Sequence, residues 1–172
     1  MDHSSYSNSY IRRILKSVHT IAFVGASAKD IRPSYMAMMY MQQKGYRAIP
    51  VNPGLAGQLI LGETVYASLS DIPEPVDMVD IFRNAEAAGP ITDEALQLDP
   101  RPSVIWMQLG VRNQEAAARA EDAGLSVVMN RCPKMEYGKL SGEWSWFGAY
   151  SGRISSRRGS ITGDRVQSLG IG

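Results

Sequence analysis

A single cysteine, Cys132, stands in a chain of 172 residues, which excludes an internal disulfide and fits a reducing compartment. Net charge is nearly absent, with a formal value of +1. Binding to nucleic acid or to a membrane surface by bulk electrostatics needs a larger imbalance, so neither partner is expected and any anion site must be local. No apolar run approaches the roughly 18–20 residues that span a bilayer. The polar opening segment, Met1 to Tyr10, lacks the apolar stretch of a secretory signal, so a cytoplasmic location is expected. Histidine is limited to His3 and His19, and no grouping of His, Cys and carboxylates has metal-site spacing, so no metal is expected.

Hydrophobic residues make up 44% of the chain and charged ones 20%, an ordinary balance for one globular domain with a sizeable core. Short apolar runs alternate with helical patterns, which is the signature of a parallel sheet with crossover helices. Five runs read as strands: 20–25, 47–51, 76–82, 103–108 and 125–129. Pro50 removes a ladder donor from the second run and points to a sheet edge or a strand end. Helices are predicted over 10–18, 33–44, 85–98 and 114–123. Pro33 suits a first helical position, Gly45 and Gly124 suit C-terminal stops, and Asn113 suits an N-cap. Gly89-Pro90 interrupts the 85–98 pattern and makes Pro90 an alternative start. The stretch from Asn52 to Asp71 is loop-like, with a brief apolar element at Leu59 to Leu61. The expected fold is α/β, a Rossmann-like doubly wound parallel sheet of about five strands in the order 3-2-1-4-5. Residues 10–140 form the domain, and 141–172 read as an extension, Ser, Gly and Arg-rich after Tyr150 and expected to be partly disordered. Within it, Trp144, Trp146 and Phe147 read as packing against the domain or as a dimer patch, and Arg153, Arg157 and Arg158 as solvated charge.

Such sheets bind ligands beyond the carboxyl ends of their strands, where strand order reverses. That place falls on the loop Gly25 to Arg32. Gly25 lets backbone approach a ligand, while amides of the following helix and the hydroxyls of Ser27 and Ser34 are candidate phosphate donors. Lys29 and Arg32 add local positive charge. The dinucleotide fingerprint G-x-G-x-x-G is missing, because Ser27 and Asp30 stand where its later glycines belong. The end of strand two reads Val51-Asn52-Pro53-Gly54, without the acid that accepts from ribose hydroxyls. A redox dinucleotide site is therefore disfavoured, and a Walker loop is absent.

Val24-Gly25-Ala26-Ser27, Arg32-Pro33-Ser34, Gly45-Tyr46-Arg47, Ile49-Pro50-Val51-Asn52-Pro53, and the run from Val76 to Arg83 resemble bacterial and archaeal CoA-binding-domain proteins. These are stand-alone relatives of the nucleotide-binding domain of the succinyl-CoA synthetase alpha subunit. Trp106 to Asn113 and Asn130-Arg131-Cys132-Pro133-Lys134 fit the same family. The likeness runs in order from Ile14 to Leu140. It implies coenzyme A, or an acyl-CoA, lying across the first three strand ends. By position, Gly25, Ala26, Ser27 and Ala28 would approach the pyrophosphate, Asn52 and Pro53 would border the adenosine, and Ile81, Phe82 and Arg83 would flank the adenine or pantetheine. Lys29, Arg32 and Arg83 are the phosphate candidates. An arginine is favoured for the 3′-phosphate because it binds phosphate in a bidentate way.

The synthetase subunit also carries a phosphohistidine domain and works with a grasp-fold partner. His3 and His19 stand in no position for phosphoryl transfer, so ligase activity is not inherited and no catalytic residue is assigned. Three readings follow: a sensing, carrier or regulatory module; a component of a CoA-dependent transferase or ligase acting with a partner chain; or an interaction protein that has lost the ligand. A homo-oligomer is compatible with each.

Other residues carry alternatives. Cys132 lies between Arg131 and Lys134, which favour a reactive thiolate; its competing role is that of a small packing residue. Asp77 and Asp80 face opposite sides of strand three and cannot act as a carboxylate pair. Asp80 reads as buried and bonded to a nearby loop amide, and Gln108 either touches a ligand or steadies its own loop. Met36, Met38, Met39 and Met41 spread over both faces of the first crossover helix as core filling or an oligomer contact.

Overall fold

Strand β1 (Thr20–Val24) lies inside a parallel sheet, and its apolar run follows from burial on both faces. In the computed structural model, which describes residues 1–143, α1 (Asn8–Ser17) precedes β1, and α2 (Pro33–Gln43) leads to β2 (Arg47–Val51). A small antiparallel hairpin follows, β3 (Leu59–Ile60) with β4 (Glu63–Thr64). The chain then alternates through β5 (Met78–Ile81), α3 (Ala85–Gln97), β6 (Val104–Met107), α4 (Gln114–Asp122), β7 (Ser126–Val128) and α5 (Pro133–Leu140). The aromatic and arginine-bearing positions of the extension, Trp144 onward, lie outside the described residues.

The Rossmann-like class is as expected. The lateral order is β2-β1-β5-β6-β7, which is 2-1-3-4-5 when the five long strands are numbered along the chain. The third long strand therefore pairs with β1, Phe23 opposite Asp80, where the order 3-2-1-4-5 would set it outside β2. The outer side of β2 is already taken by its own connection: Tyr66 donates to the Pro50 carbonyl at 3.0 Å and accepts from Asn52 at 2.9 Å. Pro50 presents its missing N–H to that side, as an edge strand permits. Asp77 then fixes the start of β5 beside β1, its carboxylate accepting from the amides of His19 and Thr20 at 2.8 and 2.9 Å.

Helices α1, α2 and α5 cover one face of the sheet, over Phe23, Met78, Trp106 and Val128. Helices α3 and α4 cover the other, over Ala22, Val79, Ile105 and Val127. The methionines of α2 divide accordingly: Met38 and Met41 are buried, and Met36 and Met39 remain exposed. Side-chain oxygens cap three helices: Ser7 on α1, Asn84 on α3 and Asn113 on α4. The Asn84 cap starts α3 at Ala85, so Pro90 lies inside the helix rather than at its start. The carbonyl it leaves without a donor is that of Glu86, in the exposed first turn. No helix among the described residues is long and apolar enough to cross a membrane.

Candidate functional site

The loop after β1 and the first turn of α2 enclose a cleft of about 430 Å³ at the carboxyl ends of β1, β2 and β5. This is where the lateral order reverses, between β1 and β5. Gly25, Ala26, Ser27, Lys29, Arg32, Ser34, Asn52 and Phe82 line the cleft together with Pro33.

Gly25 has φ +89°, and a Cβ there would stand 2.9 Å from both the Phe82 carbonyl oxygen and Arg83 Cδ. The glycine is thus required by the close approach of the β5 end, where the sequence had pointed to close approach of a ligand. The same contact sets the Arg83 stem against the rim of the loop.

Much of the loop's hydrogen-bonding capacity is spent internally. Gly25 and Ala26 donate to the Val51 carbonyl at 2.9 and 3.3 Å. The Ser27 amide donates to Ser34 Oγ at 3.1 Å, and the Lys29 amide to Ser27 Oγ at 3.1 Å. The amides of residues 25–27 therefore shape the loop and are not free donors. Both hydroxyl oxygens already accept one bond, and their hydrogens remain to be offered. Donors stay open elsewhere: the N-cap position of α2, Arg32, supplies no side-chain bond, and the amides of Ala28, Ser34 and Tyr35 donate to no described residue. Pro33 has no amide to lose at this first helical position. The result is an uncapped, electropositive helix end facing an open cleft.

Lys29, Arg32 and Arg83 are exposed, and among the described residues their side chains join no hydrogen bond or ion pair. Some cations elsewhere are committed, Arg47 to Glu63 and Glu74 and Arg119 to Asp93. Asp30 is an exposed acid of the same loop. At the end of β2, the Asn52 side chain is also committed, with Nδ2 on the Ala26 carbonyl at 2.8 Å and Oδ1 accepting from the Gly54 amide at 2.9 Å. It clamps two loops together while lining the cleft, a role that the sequence did not disclose.

Other predicted residues fall outside the lining. Ala28 is exposed, and Pro53 opens an exposed turn of 3-10 helix, Pro53–Leu55, beside the cleft. The Ile81 side chain is 0% exposed and belongs to the core under α3 and α4, so it cannot flank a ligand. Alternation along β5 sends Asp80 and Phe82 to the α2 side and Ile81 to the other.

Asp80 is fully buried, and Gln108 Nε2 donates to both of its carboxylate oxygens at 3.0 Å. Its partner is thus a side-chain amide, and Gln108 is explained as well. Burial holds the Asp80 carboxyl well above the usual carboxylate range, the Gln108 bond opposing only in part. The surroundings of Cys132 oppose the thiolate form. Burial pushes its thiol up and outweighs the opposing Met135 amide; Asp80 adds a smaller upward push, and the Lys134 amide and charge oppose more weakly still. Arg131 is turned instead to Glu136, at 3.5 Å. No group of three potential metal ligands occurs among the described residues.

Comparisons with known proteins agree with this architecture. An uncharacterized protein of Bacillus subtilis, YneT, is 36% identical over 131 residues, 76% of this chain and 94% of that protein. The structure of cell-free ID.343 from Thermus thermophilus superposes with a TM-score of 0.73 at 36% identity, covering 78% of this chain and 98% of the other. A hypothetical protein from Pyrococcus horikoshii OT3 gives a TM-score of 0.73 at 33% identity, covering 81% and 98%. Residues 19–138, from the start of β1 to the body of α5, match the family described as CoA binding domain, and to that family the chain belongs.

Proposed function

We propose that the cleft binds coenzyme A or an acyl-CoA, and that the protein acts as a sensing, carrier or regulatory module for that ligand. The observation that carries this reading is the meeting, in one cleft, of the unspent Ser34 amide and the uncommitted cations Lys29 and Arg32, with Arg83 set against the loop beside them and no carboxylate on the β2 end. A diphosphate carries the charge and acceptor oxygens that such a site leaves unmet. The amides of Ala28, Ser34 and Tyr35 take the pyrophosphate, with Ala26 and Ser27 shaping the backbone beneath it. Lys29, Arg32 and Arg83 supply phosphate contacts, one arginine taking the 3′-phosphate. Asn52 and Pro53 border the adenosine, and Phe82, stacked on Phe23 with ring centroids 6.0 Å apart, offers a flat apolar wall to the adenine or to the pantetheine arm. Membership of the CoA binding domain family supports the ligand class.

Isothermal titration with CoA, dephospho-CoA, NAD and ATP tests this. CoA should bind tightest, and dephospho-CoA more weakly because it lacks the 3′-phosphate. A preference for NAD, or no binding of any of the four, would overturn the reading.

A further inference from the structure

The sheet closes its two edges by different means. On the β2 side the partner is backbone, through Tyr66. On the β7 side it is a pair of side chains. In a parallel strand, alternate residues present their amide and carbonyl to opposite sides. Ser126 donates inward to the Ser103 carbonyl, so Val127 and Met129 face outward. The Tyr10 hydroxyl accepts from the Val127 amide at 3.2 Å and donates to the Val127 carbonyl at 3.1 Å. The Tyr6 hydroxyl accepts from the Met129 amide at 2.7 Å.

These tyrosines stand four residues apart and stack, with centroids 5.8 Å apart and planes 11° from parallel. That spacing sets two hydroxyls against two outward amides of one strand. The segment before α1 is tied down at several further points. Met1 pairs its ammonium with Glu121 at 2.9 Å, Arg112 donates to the His3 carbonyl at 3.2 Å, and Arg131 lies over the Tyr6 ring at 5.4 Å. His3 is buried, with Nδ1 at 2.9 Å from the Tyr6 hydroxyl.

What these residues cover is Ser126-Val127-Val128-Met129, an edge without charge, proline or bulge. Such an edge is a template for another strand unless something blocks it. Two copies of one edge are self-complementary when related by a two-fold axis, in antiparallel pairing. We propose that residues 1–7, together with Tyr10, form a strap that keeps the β7 edge from a second copy of this chain. Release of the strap turns the edge into a homodimer interface, giving a sheet continuous across both copies. The interface is separate from the cleft, so it stands or falls independently of the ligand reading.

The test uses the full chain carrying Tyr6→Phe and Tyr10→Phe, compared with the unaltered protein by hydrogen exchange and light scattering. Exchange at the Val127 and Met129 amides should accelerate about tenfold or more, and with rising concentration a species of twice the unaltered protein's mass should appear. Adding Ser126→Lys, a charge on the bare edge, should restore the original mass while exchange stays fast. Fast exchange with unchanged mass up to high concentration would overturn the proposal, as would unchanged exchange. Should the double variant fail to fold by circular dichroism, Tyr10→Phe alone, read at Val127 and by mass, decides the matter on the same terms.

Discussion

Asn52 holds Ala26: the carboxamide at the end of β2 donates to the carbonyl of the neighbouring loop at 2.8 Å, and its oxygen takes the Gly54 amide at 2.9 Å. One side chain thus fixes the two loops between which the cleft opens. Replacement by alanine strands the carbonyl of Ala26, a residue only 1% exposed, at a cost of about 1–3 kcal/mol. Asn52→Ala should lower the urea midpoint and weaken CoA binding together. Urea denaturation and titration calorimetry on the same preparation check both.

Gly25→Ala should be destabilising whether or not ligand is present. The left-handed backbone alone costs an ordinary residue roughly 1–2 kcal/mol, and the methyl would also meet the Phe82 carbonyl, which is backbone and cannot turn aside. A fall in thermal midpoint measured without ligand checks this, because the strain lies between β1 and β5 and not between protein and ligand.

Arg32→Ala and Arg83→Ala should leave stability nearly unchanged, since both residues are exposed and uncommitted among the described residues. Each should weaken CoA by about 1.5–3 kcal/mol if its guanidinium meets phosphate. Only the arginine at the 3′-phosphate should also lose the difference between CoA and dephospho-CoA. Calorimetric titration of each variant with both ligands separates the two roles.

Asp80→Asn should be more stable than the unaltered protein at neutral pH and less sensitive to pH. Folding raises the pKa of the Asp80 carboxyl, chiefly through burial. Its favourable contribution is therefore complete only below the unfolded value of about 3.8 and is lost as pH rises through the raised folded value. Asparagine keeps an oxygen to accept from Gln108 and carries no charge to bury. Urea midpoints from about pH 4 upward should diverge between the two proteins, the unaltered one falling behind.

The sheet was legible because its strands are buried on both faces and so read as unbroken apolar runs, as at Thr20–Val24. Pro50 pointed to a sheet edge or a strand end, and β2 is the outer strand of its sheet, although the expected order had set it inside. The lateral place of β5 was not legible, because it depends on Tyr66 occupying the outside of β2, a contact made 16 residues beyond Pro50 and carried by backbone. At the cleft, the positions of Ser27, Lys29 and Arg32 followed from the switch-point rule, and Asn52 from the family resemblance. Which amides remain free did not follow, because Val51 and Ser34 claim those of residues 25–27 through contacts that composition does not encode. Ile81 was misplaced by proximity in sequence, though period-two alternation sends its side chain away from Phe82. Cys132 was read from its charged neighbours, while the burial that pushes its thiol up comes from packing that the sequence does not display.

Glu143 receives hydrogen bonds from the buried ammonium of Lys44 and, at 2.7 Å, from the Tyr40 hydroxyl. Lys44 also lies over the Tyr40 and Tyr137 rings at 5.0 and 5.7 Å. Lys44 follows the last turn of α2, whose first turn borders the cleft, and eleven helical residues advance about 16 Å. Glu143, the last described residue, therefore sits at the end of α2 away from the candidate cleft. A label attached at the Lys44 end of α2 would begin well clear of the cleft, which makes that end the place to anchor the protein for optical binding assays.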